Sequence, residues 1–158
     1  MIFITNPKEL YQYLNKEKKT LNFNDSVTID IGLFDLSEYD IYCDYDIKLT
    51  YLFVKNIAAD TISGTILKAK NITVKKQLNL VEYVNSSGTV KANKIYVQYI
   101  AAKQIRCQEI TAVGISACNV RCSYIFGGAN VYTDKLTVLK YARTRQIERK
   151  SLAKFNLI

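Results

Sequence analysis

Residues 90–126 read VKANK-IYVQY-IAAKQ-IRCQE-ITAVG-ISACN-VRCSY-IF, a stretch that repeats itself every five residues. Val90, Ile95, Ile100, Ile105, Ile110, Ile115, Val120 and Ile125 open the units. A small or aliphatic residue follows two places later: Ala92, Val97, Ala102, Cys107, Ala112, Ala117 and Cys122. Such a beat matches neither the 3.6-residue turn of a helix nor the alternation of a plain strand. It suits a chain that lays two inward side chains along a short strand, turns a corner and repeats. Successive coils then stack at the strand spacing of about 4.8 Å. Four sides per coil are predicted, placing Ile95 under Ile115, Ile100 under Val120 and Ile105 under Ile125.

The beat extends both ways from this stretch. Ile31, Leu36 and Ile41 are spaced by five, each preceded by an aspartate. Ile47, Leu52, Ile57, Ile62, Leu67 and Ile72 continue it. Six-residue steps then lead through Leu78 and Val84 to Val90, with Asn85-Ser86-Ser87-Gly88 as a bulged corner. Past Gly127-Gly128, a looser corner, Val131, Leu136 and Tyr141 close the series. The predicted solenoid covers residues 26–141, between a capping segment at 1–25 and a basic tail at 142–158.

Both ends carry helix signals. In Asn6-Pro7-Lys8-Glu9, Asn6 can cap, Pro7 suits the first helical position and Glu9 can reach back as in a capping box. A short amphipathic helix is predicted from about Pro7 to Lys18, covering the open end of the solenoid. At the other end Ile147, Ser151, Leu152 and Phe155 share a helical face, predicting a basic C-terminal helix over about 144–155.

The five-residue repeat resembles that of the pentapeptide-repeat proteins. The resemblance implies an all-β fold, a right-handed parallel β-helix in the form of a quadrilateral solenoid with four five-residue faces per coil. There is one departure. The family places a small residue first and Leu or Phe at the centre of each unit, whereas here Ile or Val comes first and Ala, Cys or Val two later. Arrays of this I-x-A-x-x kind resemble proteins of low-GC bacteria and their phages. Some family members resemble DNA in shape and charge and bind topoisomerases, but their surfaces are acidic, so that role does not carry over.

The 158 residues carry a formal charge of +8, unevenly spread. Residues 1–24 are net +2, residues 25–46 net −7 with no Lys or Arg, and residues 47–158 net +13. An acidic end and a basic body are therefore expected. No apolar run is long enough to span a membrane and the N-terminus has no secretory signal, so no membrane partner and a cytoplasmic location are expected. The chain has no His, which removes Ser-His and Cys-His nucleophile pairs. It also lacks a P-loop or G-x-G-x-x-G motif. Successive aspartates in the acidic stretch fall on different faces and point apart. These absences point away from an enzyme, a metal site and any cofactor. Of the four cysteines, Cys43, Cys107 and Cys122 occupy inward slots as compact apolar fillers, while Cys118 points outward.

The functional expectation is a non-enzymatic binding protein whose basic body engages an acidic macromolecule, either nucleic acid or an acidic protein surface. By analogy with phage proteins, that extends to an inhibitor of a nucleic-acid-processing or defence complex. Candidate binding residues are Arg143, Arg145, Arg149, Lys150 and Lys154 of the basic tail, with Tyr96, Tyr99 and Tyr124, joined by Tyr132, in outward phase. Such cations contact phosphate and such rings stack on bases. The alternative is structural: the acidic first coil and the basic end are complementary, which suits a homodimer or head-to-tail self-association into filaments.

Overall fold

The computed structural model describes residues 1–32, 35–148 and 156–157. The fold is all-β, a solenoid of about 7 turns with mostly parallel bridges. Its strands are β1 (Ile2–Ile4), β2 (Leu14–Asn15), β3 (Thr20–Phe23), β4 (Val27–Ile29), β5 (Asp35–Cys43), β6 (Asp46–Lys91), β7 (Lys94–Tyr96), β8 (Tyr99–Arg106), β9 (Glu109–Thr111), β10 (Gly114–Glu148) and β11 (Asn156–Leu157). The long strands β6 and β10 run through corners without losing extended geometry, so each supplies several sides.

Register fixes the shape of the coil. Ile95 pairs with Ile110, and Ile110 with Ile125. Ile100 lies between Val84 and Ile115, and Ile105 between Val90 and Val120. In this region the partner is therefore 15 residues away, so one coil has three five-residue sides, not four. The four-sided coil implied by the family resemblance does not hold in this region. A five-residue beat is blind to the number of sides, because every unit presents the same inward pair. The size of that pair decides. One β-branched residue plus one Ala, Cys or Val per side fills a narrow three-sided interior, whereas a wider one would leave voids, and native cores are close-packed. Earlier coils are longer: Leu21 pairs with Ile41 and Val27 with Ile47, steps of 20 residues.

The inward columns are dry. Ile41, Ile47, Ile62, Leu67, Ile72, Leu78, Ile95, Ile105, Ile110 and Ile125 are fully buried. Each such side chain contributes roughly 1.5–3 kcal/mol by leaving water. β-Branched side chains also suit the pleated surface. The predicted bulge at Ser86–Gly88 is present, since the ladder shifts register between Ser86 and Thr89. The buried Ser86 hydroxyl donates to the Lys70 carbonyl (2.7 Å), satisfying a group that the core would otherwise penalise.

Gly64 occupies the second inward slot of its side with φ +152°, and a Cβ there would lie 1.8 Å from the Leu49 carbonyl oxygen. The coils could not approach this closely around a side chain.

Both predicted helices are corrected. The N-terminal cap forms as read, with Asn6 and Glu9 in a reciprocal capping box and Pro7 in the first turn, but the segment is a 3-10 helix ending at Tyr13. Leu14–Asn15 then turns back to pair antiparallel with Thr20–Leu21, so residues 14–18 are not helical. So short a helix is marginal alone, and the free edge of β3 offers the backbone better-aligned hydrogen bonds. The capping segment is also part of the solenoid, since β1 pairs with β4. At the C-terminus, residues 144–148 continue β10 as strand. The preceding coil presents an unpaired edge, and tertiary pairing there overrides weak helical propensity. The remainder of the expected helix, residues 149–155, lies outside the described residues.

Three substitutions test this register. Ile105→Asp places a charge between coils and should cost more than about 4 kcal/mol, with Ile105→Val losing only about 1 kcal/mol. Gly64→Ala should cost about 2 kcal/mol or more, because Leu49 backbone must move. Urea denaturation measures all three, and an Ile105→Asp protein as stable as wild type would refute the inward assignment.

Candidate functional site

In the later, three-sided coils a residue has its neighbour in the next coil 15 positions on, and outward side chains form columns along the solenoid. One column sits immediately after the Ile105 slot. There Lys91 pairs with Arg106, and Arg106 with Arg121. All three are exposed, and among the described residues none forms an ion pair. Arg106 makes a single side-chain hydrogen bond, donating Nη2 to Gln104 Oε1 (3.3 Å).

Stacking like charges on adjacent strands is unfavourable. Two unit charges held about 5 Å apart in water repel by about 0.8 kcal/mol. The ladder therefore carries a modest cost that no acidic neighbour offsets. Beside it runs a groove of about 620 Å³, lined by Lys75, Lys91, Arg106 and Arg121, with Val74, Ala92, Cys107 and Cys122 on its floor. The groove exists because the second inward slot of this side holds small residues, which lets the surface dip between the cations and the next corner.

Charge changes sign along the same side. Towards the N-terminus, Asp40 pairs in register with Asn56. Asn56 Nδ2 donates to Asp40 Oδ1 and Asn71 Nδ2 to Asn56 Oδ1, each at 2.8 Å, and Asn71 Oδ1 accepts from the Thr89 backbone N–H at 3.0 Å. This polar ladder bonds four coils through side chains as well as backbone. At the adjoining corner Asp60 meets both Lys76 Nζ (2.8 Å) and Lys75 Nζ (3.1 Å), and Lys75 also reaches Asp44 (3.9 Å). The Lys75 contact is an ion pair without hydrogen-bond geometry, leaving Asp60 Oδ1 covered but unbonded. The ammonium groups of Lys76 and then Lys75 beside it hold the Asp60 carboxyl below its usual value. Acidic and basic halves thus meet in compensated pairs, and the uncompensated cations begin above them.

The sequence-predicted residues divide among several places. Tyr96 is half-buried on the side that also carries Lys94, whose Nζ pairs with Glu109 (3.1 Å). Tyr99 is exposed on the next side, in register between Tyr83 and Gly114. Tyr132 is exposed and lies in the shallow depression that includes Ser116 and Ala117 of Tyr99's side. Tyr124 lies on the side of Tyr96, its ring parallel to that of Phe126 at 5.8 Å between centroids. Arg143 is exposed on β10, Arg145 lies within the same strand, and Arg149, Lys150 and Lys154 fall outside the described residues. The structure therefore does not gather the tyrosines into one site. It gathers Lys91, Arg106 and Arg121, which the sequence reading missed. Their signal was present as a basic second residue in every third unit, VKA, IRC and VRC, but four sides per coil would have scattered it.

The thiols follow the predicted pattern with one refinement. Cys43 and Cys122 are buried, Cys107 is half-buried and Cys118 is exposed. Burial pushes the Cys43 thiol up. Cys107 and Cys122 occupy the same slot of consecutive coils, where the neighbouring Cys122 thiol and burial push the Cys107 thiol up. Among the described residues no group of three or more His, Cys, Asp or Glu side chains is placed to hold a metal ion. No helix of the described residues is long and apolar enough to cross a membrane. No protein-family model matches the chain, and no similar curated protein or solved structure is found.

Two measurements follow from this geometry. The carboxyls of Asp60, Asp25, Asp35 and Glu38 are held low, so their stabilisation is present above the unfolded carboxylate range and lost as pH falls through the lower folded values. Lys19, Lys76 and Lys94 are held above 10.5, so their contribution persists below that value and is lost as pH rises through the higher folded ones. Melting temperature should be flat from about pH 5 to pH 10 and fall on both sides, with a shallower acid limb in Asp60→Asn. In native protein, iodoacetamide should modify Cys118 readily and Cys43 and Cys122 only after denaturation, as peptide mapping would show. Rapid native modification of Cys122 ahead of Cys118 would contradict the packing.

Proposed function

We propose that this chain is a non-enzymatic binding protein whose basic half engages a nucleic acid along the solenoid axis. The observation that carries this reading is the in-register stack of Lys91, Arg106 and Arg121. The stack is repulsive alone, has no ion-pair partner among the described residues, and borders a groove along which a linear polyanion can lie. A phosphate backbone supplies regularly spaced negative charge, and binding would release its condensed counterions. Direct phosphate contact is the role the exposed column suits, since its charged heads stand in solvent. Arg143, exposed further along the chain, adds to the positive charge of this half.

The polarity of the molecule favours a second reading, head-to-tail self-association. Asp30, Asp35, Glu38, Asp40, Asp44 and Asp46 lie in the early coils, while the uncompensated cations lie in the later ones. An acidic protein surface, including that of a nucleic-acid-processing complex inhibited in this way, is the corresponding protein-partner form of the proposal.

The triple variant Lys91→Gln, Arg106→Gln, Arg121→Gln separates these readings. Its melting temperature should equal or exceed that of wild type, because like-charge repulsion is removed. Nucleic-acid affinity should drop, and the slope of log K against log salt should shrink by about 2 units for a single strand and about 3 for a duplex. Gel filtration at low and high salt is the control. A wild-type protein that polymerises at low salt and binds neither heparin nor nucleic acid would replace the nucleic-acid reading with self-association.

A further inference from the structure

A second feature lies around the corner from the cation column. Three residues beyond Arg121 the chain enters the next side with Tyr124, and Phe126 follows on the same outward face. The two rings are parallel within 8° at 5.8 Å. Tyr141 packs against Phe126 at 6.0 Å and 37°, and Lys140 Nζ stands 5.5 Å over the Tyr124 ring. Phe126 is 38% exposed and Tyr141 50%. An aromatic surface held in water costs stability, and both rings keep this exposure among the described residues. The coil below presents Glu109 and Thr111 to Tyr124 and Phe126, and Glu109 is already engaged by Lys94. The plate is therefore open outward and flanked by cations, Arg121 on one side and Lys140 on the other.

We propose that Phe126 and Tyr141, backed by Tyr124, form a base-stacking site that makes the protein select single-stranded over duplex nucleic acid. The proposal rests on the reading of the cation column as a phosphate track. A single strand laid on Lys91, Arg106 and Arg121 can turn a base across the Cys122-Ser123 corner onto the plate, with Lys140 near its phosphate. The ring separation leaves no room for a base between Tyr124 and Phe126, so the base lies against the open side of Phe126 and Tyr141. A duplex offers its phosphates to the same cations but keeps its base faces inside the stack. Every base has a π-face, so the site discriminates strandedness and not sequence.

The test compares wild type with Phe126→Leu/Tyr141→Leu, which keeps apolar bulk and removes the rings. Anisotropy titrations use a labelled oligothymidylate, a mixed-sequence duplex of equal length and heparin. Wild type should prefer the single strand, and the leucine variant should bind it about 5- to 150-fold more weakly with an unchanged salt slope. Duplex and heparin affinities should not move. Equal wild-type affinity for single strand and duplex would overturn the stacking site while leaving the phosphate track standing, and it requires no variant to fold. So would a leucine variant that melts like wild type and binds the single strand undiminished. Failure of wild type to bind any of the three ligands would remove the track and the stacking site together.

Discussion

Everything in this molecule depends on parallel backbone ladders that keep each inward side chain directly over its counterpart in the next coil. A solenoid has no central helix or second layer to fall back on. Each coil buries its apolar slots only by resting on its neighbours, so a slip of one residue would turn Ile105 and its column outward. The same condition restricts the corners. Gly64 is required where the Leu49 carbonyl crosses the position of its missing side chain. Ser86, inside the bulge, is tolerated because its hydroxyl reaches the Lys70 carbonyl.

Once the ladders are fixed, the surface follows without further choice. A residue type repeated at one place in every third unit becomes a stripe. The Asp40–Asn56–Asn71 stripe closes hydrogen bonds between coils and stabilises the stack. The Lys91–Arg106–Arg121 stripe sits on the same side, one slot across, and does the opposite. Amides can satisfy one another along a ladder because each offers both a donor and an acceptor, whereas lysine and arginine are donors only. A cation stripe therefore cannot bond along itself, and its members turn to solvent or a partner for acceptors. That asymmetry, more than the overall charge of +8, is what supports the proposed reading of the basic half as a binding surface.

Much of this was legible in the sequence, and the limits are physical. The beat from Val90 to Ile125 gave the inward positions, and Asn6-Pro7-Lys8-Glu9 gave the N-terminal cap. The number of sides was not legible, because a run of equivalent units looks the same whether it closes after three or four. That single unknown hid the candidate site, since Lys91, Arg106 and Arg121 are scattered outward residues until coils of 15 bring them together. The terminal helices failed for a different reason. Residues 14–18 and 144–148 have tolerable helical patterns, but a free strand edge stood next to each, and pairing with it satisfies backbone groups that a short helix would leave frayed.

The arrangement along the axis gives the stripe a direction. Close to its N-terminal end the cations Lys75 and Lys76 are neutralised by Asp60, and Lys75 also by Asp44, so a polyanion gains little by extending there. Along the column itself Lys91, Arg106 and Arg121 have no ion-pair partner among the described residues, and Arg121 lies one corner from the aromatic surface of Tyr124, Phe126 and Tyr141. On the proposed reading, a strand would be attracted most strongly where flat apolar rings are also exposed, and repelled by the aspartates of the early coils. In that proposal long-range charge would bring the ligand to one half of the solenoid, and short-range stacking would act only there. The two effects differ in their response to salt, because counterion release weakens as salt rises while contact between rings and bases persists. At high ionic strength the residual affinity would therefore be concentrated at the last coils, where the cation column and the aromatic plate meet.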